Sequence, residues 1–329
     1  MTEYVTTTPG LYPLPDDAKD VLADLKGRQK GDLIDGEESE EVRETYEEIR
    51  ADAIQRQADA GLDRIVEGQL RWDDMLGHPL SVSDTVEIRS IERYYDNNNF
   101  YRDPVVTGAL SPTGDVAAEL EAAAARTDDL QAVLPGPYSL FDLATDEHYG
   151  DESAFLDAIG SFLAGEVEAF PAHETLFLLE PSLVANPPGD HAAGASEAID
   201  RVAAATDAEV IVHTYFGAFD EETYAHLLDA DIDGVGYDLV SAPEETVELL
   251  REYGIPDSVA LGVVDGQNTL VESPETIRER VEWFENRLPE AIDPGTVYVT
   301  TNTELFYLPV SKFEAKLDAL GAAYAEVEA

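Results

Sequence analysis

The last third of the chain repeats one arrangement four times: an apolar run ends in a compact polar signature, and a helix-like stretch follows. The runs read EVIVHTYFGAF (209–219), IDGVGYDLV (232–240), VALGVVDGQN (259–268) and VYVTTNTELFYLPV (297–310). Strands alternating with helices mark a parallel sheet. A parallel strand covered on both faces is apolar along its length, so polar atoms collect only at its ends. Here they collect at the C-terminal ends, where a (β/α)₈ barrel carries its chemistry.

Four earlier runs complete the set: YVTTTPG (4–10), LDRIVEGQ (62–69), LQAVLPGP (130–137) and TLFLLEPSL (175–183). Eight strands close this kind of barrel. A further strand-like run, FYRDPVVTGAL (100–110), reads as part of a hairpin-like excursion near 95–112 over the barrel mouth. Helices are expected over 38–60, 114–126, 151–170, 193–206, 220–229, 243–253, 273–287 and 311–328, with a helical extension at the N-terminus. Asp220 and the pair Ser273-Pro274 are helix-start signals. No low-complexity linker or internal repeat divides the chain, so the expectation is an α/β protein in which residues 1–329 form a single TIM-barrel domain.

The charge is extreme. Lys and Arg number 20 against 70 Asp and Glu, a formal net charge of −50, spread over helices such as EESEEVRETYEEIRADA rather than gathered in a tail. Such a field repels nucleic acid and anionic membranes, which are bound through basic side chains. At molar salt the Debye length falls to about 3 Å and self-repulsion is screened. The composition therefore predicts a salt-adapted protein of the haloarchaeal kind. There are no cysteines, which removes disulfides and thiolate–metal sites. The N-terminal stretch lacks the pattern of a signal peptide, and no uninterrupted apolar run reaches membrane-spanning length. A soluble, cytoplasmic protein is expected.

Candidate site residues follow from the strand ends. Glu67 and Gln69 close the second run with Asp73 and Asp74 on the loop beyond; they read as a polar clamp for a small ligand, or as acids at a helix start. The turn LPGPYSLFD (134–142) offers backbone N–H groups to an anion or carbonyl, or is simply turn chemistry. Glu180 ends an apolar strand, where a carboxylate needs a partner. His213 and Tyr215 share a face two residues apart. Asp238, Asp265, Asn268 and Thr303 are the corresponding residues of the last three strands, and together they ring one end of a barrel. In so acidic a chain, Lys19, Lys26, Arg28 and Lys30 near the N-terminus, and Arg71, Arg93 and Arg102 around the mouth, are candidates to hold a carboxylate or to pair with local acids.

These motifs resemble those of cobalamin-independent methionine synthase, an enzyme of two related barrels of the uroporphyrinogen-decarboxylase-like type. QADAGLDRIVEGQLRWDDML resembles the family's second-strand motif and LEPSL its D-E-P-A-L strand; HTYFG, DGVGYDLV, LGVVDGQN and TNTELFYLPV resemble its last four strands in order. The pieces TYFG, LGVVDGQN and the final LPV are closer to the N-terminal, zinc-free barrel than to the catalytic one. YYDNNNFYRDP resembles the loop at the barrel mouth, and Lys19 stands near the lysine of the family's basic opening segment. The resemblance implies methyl transfer to homocysteine from a methyl-folate or methyl-corrinoid donor.

The departures matter equally. The family's catalytic zinc would fall on Tyr215, Gly217, Asp238 and Thr303, a set with one good ligand, while Gln69 and Leu179 replace carboxylates of the homocysteine site. The implied role is a barrel that binds no metal itself and works with a separate zinc-bearing barrel, with Lys19, Gln69, Asp74, Arg102, Glu180, His213, Tyr215, Asp238, Asp265, Asn268 and Thr303 around the substrates. The alternatives are a non-catalytic folate- or corrinoid-binding barrel and a metal-free enzyme of the same superfamily using Glu180, His213 and Asp238.

Overall fold

A computed structural model describes residues 2–22, 38–95, 99–289 and 292–325. Its centre is a parallel sheet of eight strands: β1 (Glu3–Thr6), β2 (Ile65–Val66), β3 (Leu130–Pro135), β4 (Thr175–Leu179), β5 (Glu209–His213), β6 (Gly234–Asp238), β7 (Ser258–Val264) and β8 (Thr296–Thr301). They hydrogen-bond in the spatial order β1-β8-β7-β6-β5-β4-β3-β2, each beside its neighbour in sequence except for β1, which lies against β8. Every residue of β3, β4, β6 and β7 is buried, as helices on the outer face require.

All eight runs expected from the sequence are present in order, but the ladders are shorter than those runs. The polar tails of the motifs leave the sheet and form the rim. The seam between β1 and β2 carries no ladder. Asp63 stitches it instead: its carboxylate accepts from the Thr6 backbone N–H (2.8 Å) and hydroxyl (2.7 Å), while the N–H groups of Asp63 and Arg64 both donate to the Thr6 carbonyl. Further along, Tyr12 N–H donates to the Gly68 carbonyl.

Helices fill the expected intervals, among them Glu40–Ala60, Glu152–Val167, Glu221–Leu228, Pro274–Glu285 and Val310–Tyr324. Ser39, Asp151, Asp220 and Ser273 each accept a backbone N–H of the first turn, which satisfies a donor that the helix itself cannot. Asp16–Leu22 supplies the N-terminal helical extension. Lys26, Arg28 and Lys30, and the end of the expected final helix at 326–328, lie outside the described residues.

The excursion differs from the expectation. It is an antiparallel hairpin, Val86–Arg93 against Phe100–Val106, extended by a parallel two-residue strand at Thr145–Asp146. Its first strand precedes residue 95. The alternation Val86–Ile88 is broken by a register shift before Ile91, and most of this strand is exposed, so it lacks the apolar signature of the barrel strands. The hairpin's connection carries Tyr94, fully buried, and Tyr95 into the barrel mouth. Among the described residues no helix is long and apolar enough to cross a membrane.

Candidate functional site

Among the described residues, those singled out at the strand ends lie at the C-terminal rim, with Lys19 on the helix Asp16–Leu22 and Arg102 on the hairpin strand Phe100–Val106, and their contacts divide them into three groups. In the first, the carboxylate or amide serves the fold. Glu180 is completely buried after β4, and its two oxygens accept from the N–H groups of Tyr138 (2.9 Å) and Ser139 (2.7 Å) at the start of the helix Pro137–Leu143. The anion-accepting turn and the carboxylate that needed a partner are thus each other's answer. A Cβ on Gly136 would lie 2.1 Å from the Glu180 carboxyl carbon, so only glycine leaves room for the cap. Burial pushes Glu180 up to about 7, against the pull of the bonds from Ser139 and Tyr138.

Asp238 is likewise saturated. One oxygen accepts from Phe216 N–H (2.9 Å), the other from Val240 N–H (3.0 Å), Ser241 N–H (2.9 Å) and the Asn302 amide (3.0 Å). It locks the β5 loop, where Phe216 takes φ +71°, to the loops after β6 and β8. Gln69, itself at φ +50°, accepts from Leu11 N–H (2.9 Å) and donates its own N–H to Glu67 (2.7 Å). Glu67 belongs to a buried ion cluster rather than to a ligand clamp. Arg50 donates to it at 3.0 Å and also pairs with Glu47 and Glu119, while burial and the Glu119 charge push Glu67 upward against Arg50. The Thr303 hydroxyl donates to the Glu304 carbonyl (3.2 Å). Asp265 and Asn268 close local turns, accepting from Gln267 and Leu270 N–H groups; Asn268 is exposed.

The second group lines a cavity of about 790 Å³ beside the rim. Lys19, Asp73 and Arg102 face an apolar wall of Pro13, Leu14 and Phe306 to Pro309. Arg102 is anchored by Nε to Asp74 (2.9 Å), with Asp73 at 3.5 Å, and its side chain stays one-third exposed. Asp74 is therefore the buried brace of Arg102. Lys19 pairs with the exposed Asp16 at 3.1 Å.

The third group is buried, aromatic and short of hydrogen-bond partners. The His213 ring stacks on Gly236, where a Cβ would sit 2.0 Å from Nδ1. Its Nε2 lies 3.2 Å from the Thr301 carbonyl, which can only accept, so Nε2 carries the hydrogen and Nδ1 is bare. Burial holds His213 down at about 4, hence neutral. Ring contacts run from His213 to Tyr215 (5.5 Å), Phe216, Tyr95 and Tyr94. The Tyr215 and Tyr94 hydroxyls find no partner among the described residues, and neither does either oxygen of Glu304, which is 1% exposed.

Glu304 and Tyr94 were not singled out in the sequence. Glu304 stands inside TNTELFYLPV beside Thr303; Tyr94 and Tyr95 open YYDNNNFYRDP. An acidic residue embedded in an apolar LFYL context is the signal that could have found Glu304.

The family's zinc does not fit this rim. Of the four corresponding positions, Asp238 already accepts four hydrogen bonds, Thr303 donates internally, Gly217 has no ligand atom and Tyr215 is held neutral by burial. Among the described residues no three of His, Asp or Glu are grouped to hold a metal ion.

An eight-stranded parallel α/β barrel with its polar groups at the C-terminal rim defines an enzyme-like scaffold. Residues 82–288 match the family described as cobalamin-independent synthase, N-terminal domain, and the chain belongs to that family. It is 30% identical over 236 residues to 5-methyltetrahydropteroyltriglutamate--homocysteine methyltransferase of Salinibacter ruber, covering 68% of this chain but 30% of that protein. It is 22% identical to methionine synthase of Saccharolobus solfataricus, covering 85% and 83% of the two. The fold is shared with a B12-independent methionine synthase from Shewanella sp. W3-18-1 (TM-score 0.75, 19% identity, 87% and 88% covered) and with a putative vitamin-B12 independent methionine synthase from Listeria monocytogenes (TM-score 0.65, 16% identity, 98% and 96% covered).

Proposed function

We propose that this chain is a methyltransferase barrel of methionine formation, binding a methyl-folate carrier and acting with a separate barrel that holds zinc and homocysteine. The observation that carries the reading is the 790 Å³ rim cavity, which joins an apolar wall containing Phe306 and Tyr307 to the cations Lys19 and Arg102. A flat aromatic ring system suits the wall, and the carboxylates of a glutamate tail suit the cations. What this chain's residues do is bind and orient: Asp74 fixes the Arg102 guanidinium, and Phe306 and Tyr307 exclude water from the face they cover. Zinc on the partner would supply a thiolate nucleophile from homocysteine.

A metal-free reaction on Glu180, His213 and Asp238 is disfavoured, because the two carboxylates are engaged in the fold and the imidazole is sealed. The same reading has residues 1–329 acting as one barrel in a salt-rich cytoplasm. Titration of the chain with methyltetrahydropteroyl triglutamate in molar KCl tests it. Saturable binding is expected, weakened about tenfold by Lys19→Ala or Arg102→Ala, as loss of a charge-assisted hydrogen bond implies. Absence of binding, or binding indifferent to both substitutions, overturns the cavity assignment.

A further inference from the structure

The loop that follows β2 reaches three sides of the rim cavity. Gln69 Oε1 accepts from Leu11 N–H (2.9 Å), and the Gly68 carbonyl accepts from Tyr12 N–H (2.9 Å). The next residues, Pro13 and Leu14, belong to the apolar wall, and the helix Asp16–Leu22 after them carries Lys19. Further along the loop, Asp73 and Asp74 hold Arg102, with Asp74 accepting from its Nε (2.9 Å). Met75 ends the loop, and its sulfur accepts from the hydroxyl of Tyr307 on the third side. The loop is tied down at its start, where Glu67 accepts from Gln69 N–H (2.7 Å) and from the buried Arg50 (3.0 Å).

The backbone marks the same assembly. Five non-glycine residues among the described ones take a left-handed φ, and three of them belong to it: Leu11 at +54°, Gln69 at +50° and Met75 at +49°. Such conformations are uncommon outside glycine and persist only where surrounding contacts over-determine them, often at binding sites. The fit at Gln69 is close: a Cβ on Gly10 would sit 1.9 Å from its side-chain oxygen. Gln69 is itself buried and does not line the cavity, so it acts there through the segment it holds.

We propose that Gln69 is a positioning residue of the cavity, setting the Lys19 arm against the Arg102 arm so that both cations meet one ligand. This rests on the carrier-binding reading above. Each arm has its own tether, Gln69 for the first and Asp73 with Asp74 for the second. Loss of the Gln69 tether therefore disables Lys19 and spares Arg102.

The test is a double-mutant cycle on the affinity of the full chain for methyltetrahydropteroyl triglutamate in molar KCl. Gln69→Asn suits it, because Asn tolerates the left-handed φ while its shorter side chain falls short of Leu11 N–H. It should weaken binding about tenfold, and adding Lys19→Ala to it should cost little more. Combined with Arg102→Ala, the two losses should multiply to about a hundredfold. A merely structural role would multiply with both substitutions alike. That outcome, or parent affinity in Gln69→Asn, overturns the proposal. Should Gln69→Asn not fold, Gln69→Leu, close in size and without the acceptor, enters the same cycle. If the parent binds no folate, the carrier reading falls, and hydrogen exchange of the unliganded chain still decides this one. The Gln69 variant should then quicken the amides of Leu11, Tyr12 and the helix Asp16–Leu22 and leave those of Phe100–Val106 as they were. Unchanged exchange in that helix would overturn it.

Discussion

Glu180 and Glu304 both follow barrel strands, both are sealed from solvent and both are pushed by burial up to about 7, yet their surroundings assign them opposite roles. Glu180 meets two helix N–H groups; Glu304 has no side-chain donor among the described residues. Removing the first should therefore cost stability. Glu180→Ala leaves two buried N–H groups bare, an expected loss of about 2–5 kcal/mol in denaturant titrations at molar salt. Removing the charge of the second should restore stability at alkaline pH. The folded state holds the Glu304 proton to about 7 rather than 4.5, so its favourable contribution is complete at low pH and is lost as pH rises through 7. Glu304→Gln should thus be more stable than the parent at pH 8.5, by up to on the order of 3 kcal/mol, and nearly equal to it at acidic pH. The reverse order at pH 8.5 would show that the carboxylate is stabilised by something within the fold.

At the level of elements, the eight strands were readable because burial on both faces leaves a parallel strand no room for polar residues, while the caps Asp220 and Ser273 carry their own side-chain signature. The hairpin strand Val86–Arg93 was not, because its alternation slips at a bulge and its faces are exposed. The rim was legible as a place but not residue by residue. A polar residue at a strand end reads the same whether it caps a helix, as Glu180 does, locks loops, as Asp238 does, or stands unmet, as Glu304 does; only the three-dimensional neighbours distinguish them. The unladdered seam was equally hidden, since Asp63 acts on Thr6 across 57 positions of sequence. Asp63→Ala removes both side-chain bonds at that seam and should cost about 1–3 kcal/mol. Hydrogen exchange should quicken first in β1 and β2; uniform quickening across the barrel would place the weak edge elsewhere.

For the whole molecule, a net charge of −50 on 329 residues is a self-repulsion that concentrated salt would screen. Circular dichroism should show the helical signal lost on dialysis from molar KCl into dilute buffer and regained on return. Full structure in dilute buffer would refute the salt adaptation. Scarce cations give Lys19 and Arg102 their weight at the mouth, and a rim whose Asp238 and Glu180 hold loops and a helix offers, among the described residues, no grouped donor set for zinc. A barrel of this family so built is expected to lend its partner a carrier-binding face. Methionine formation from homocysteine and methyltetrahydropteroyl triglutamate is the direct measure, assayed with this chain, with a zinc-bearing barrel of the family, and with both. The account predicts negligible product from this chain alone and a rate with both that clearly exceeds the zinc barrel's own. Turnover by this chain alone, or no change in the partner's rate on its addition, would contradict it.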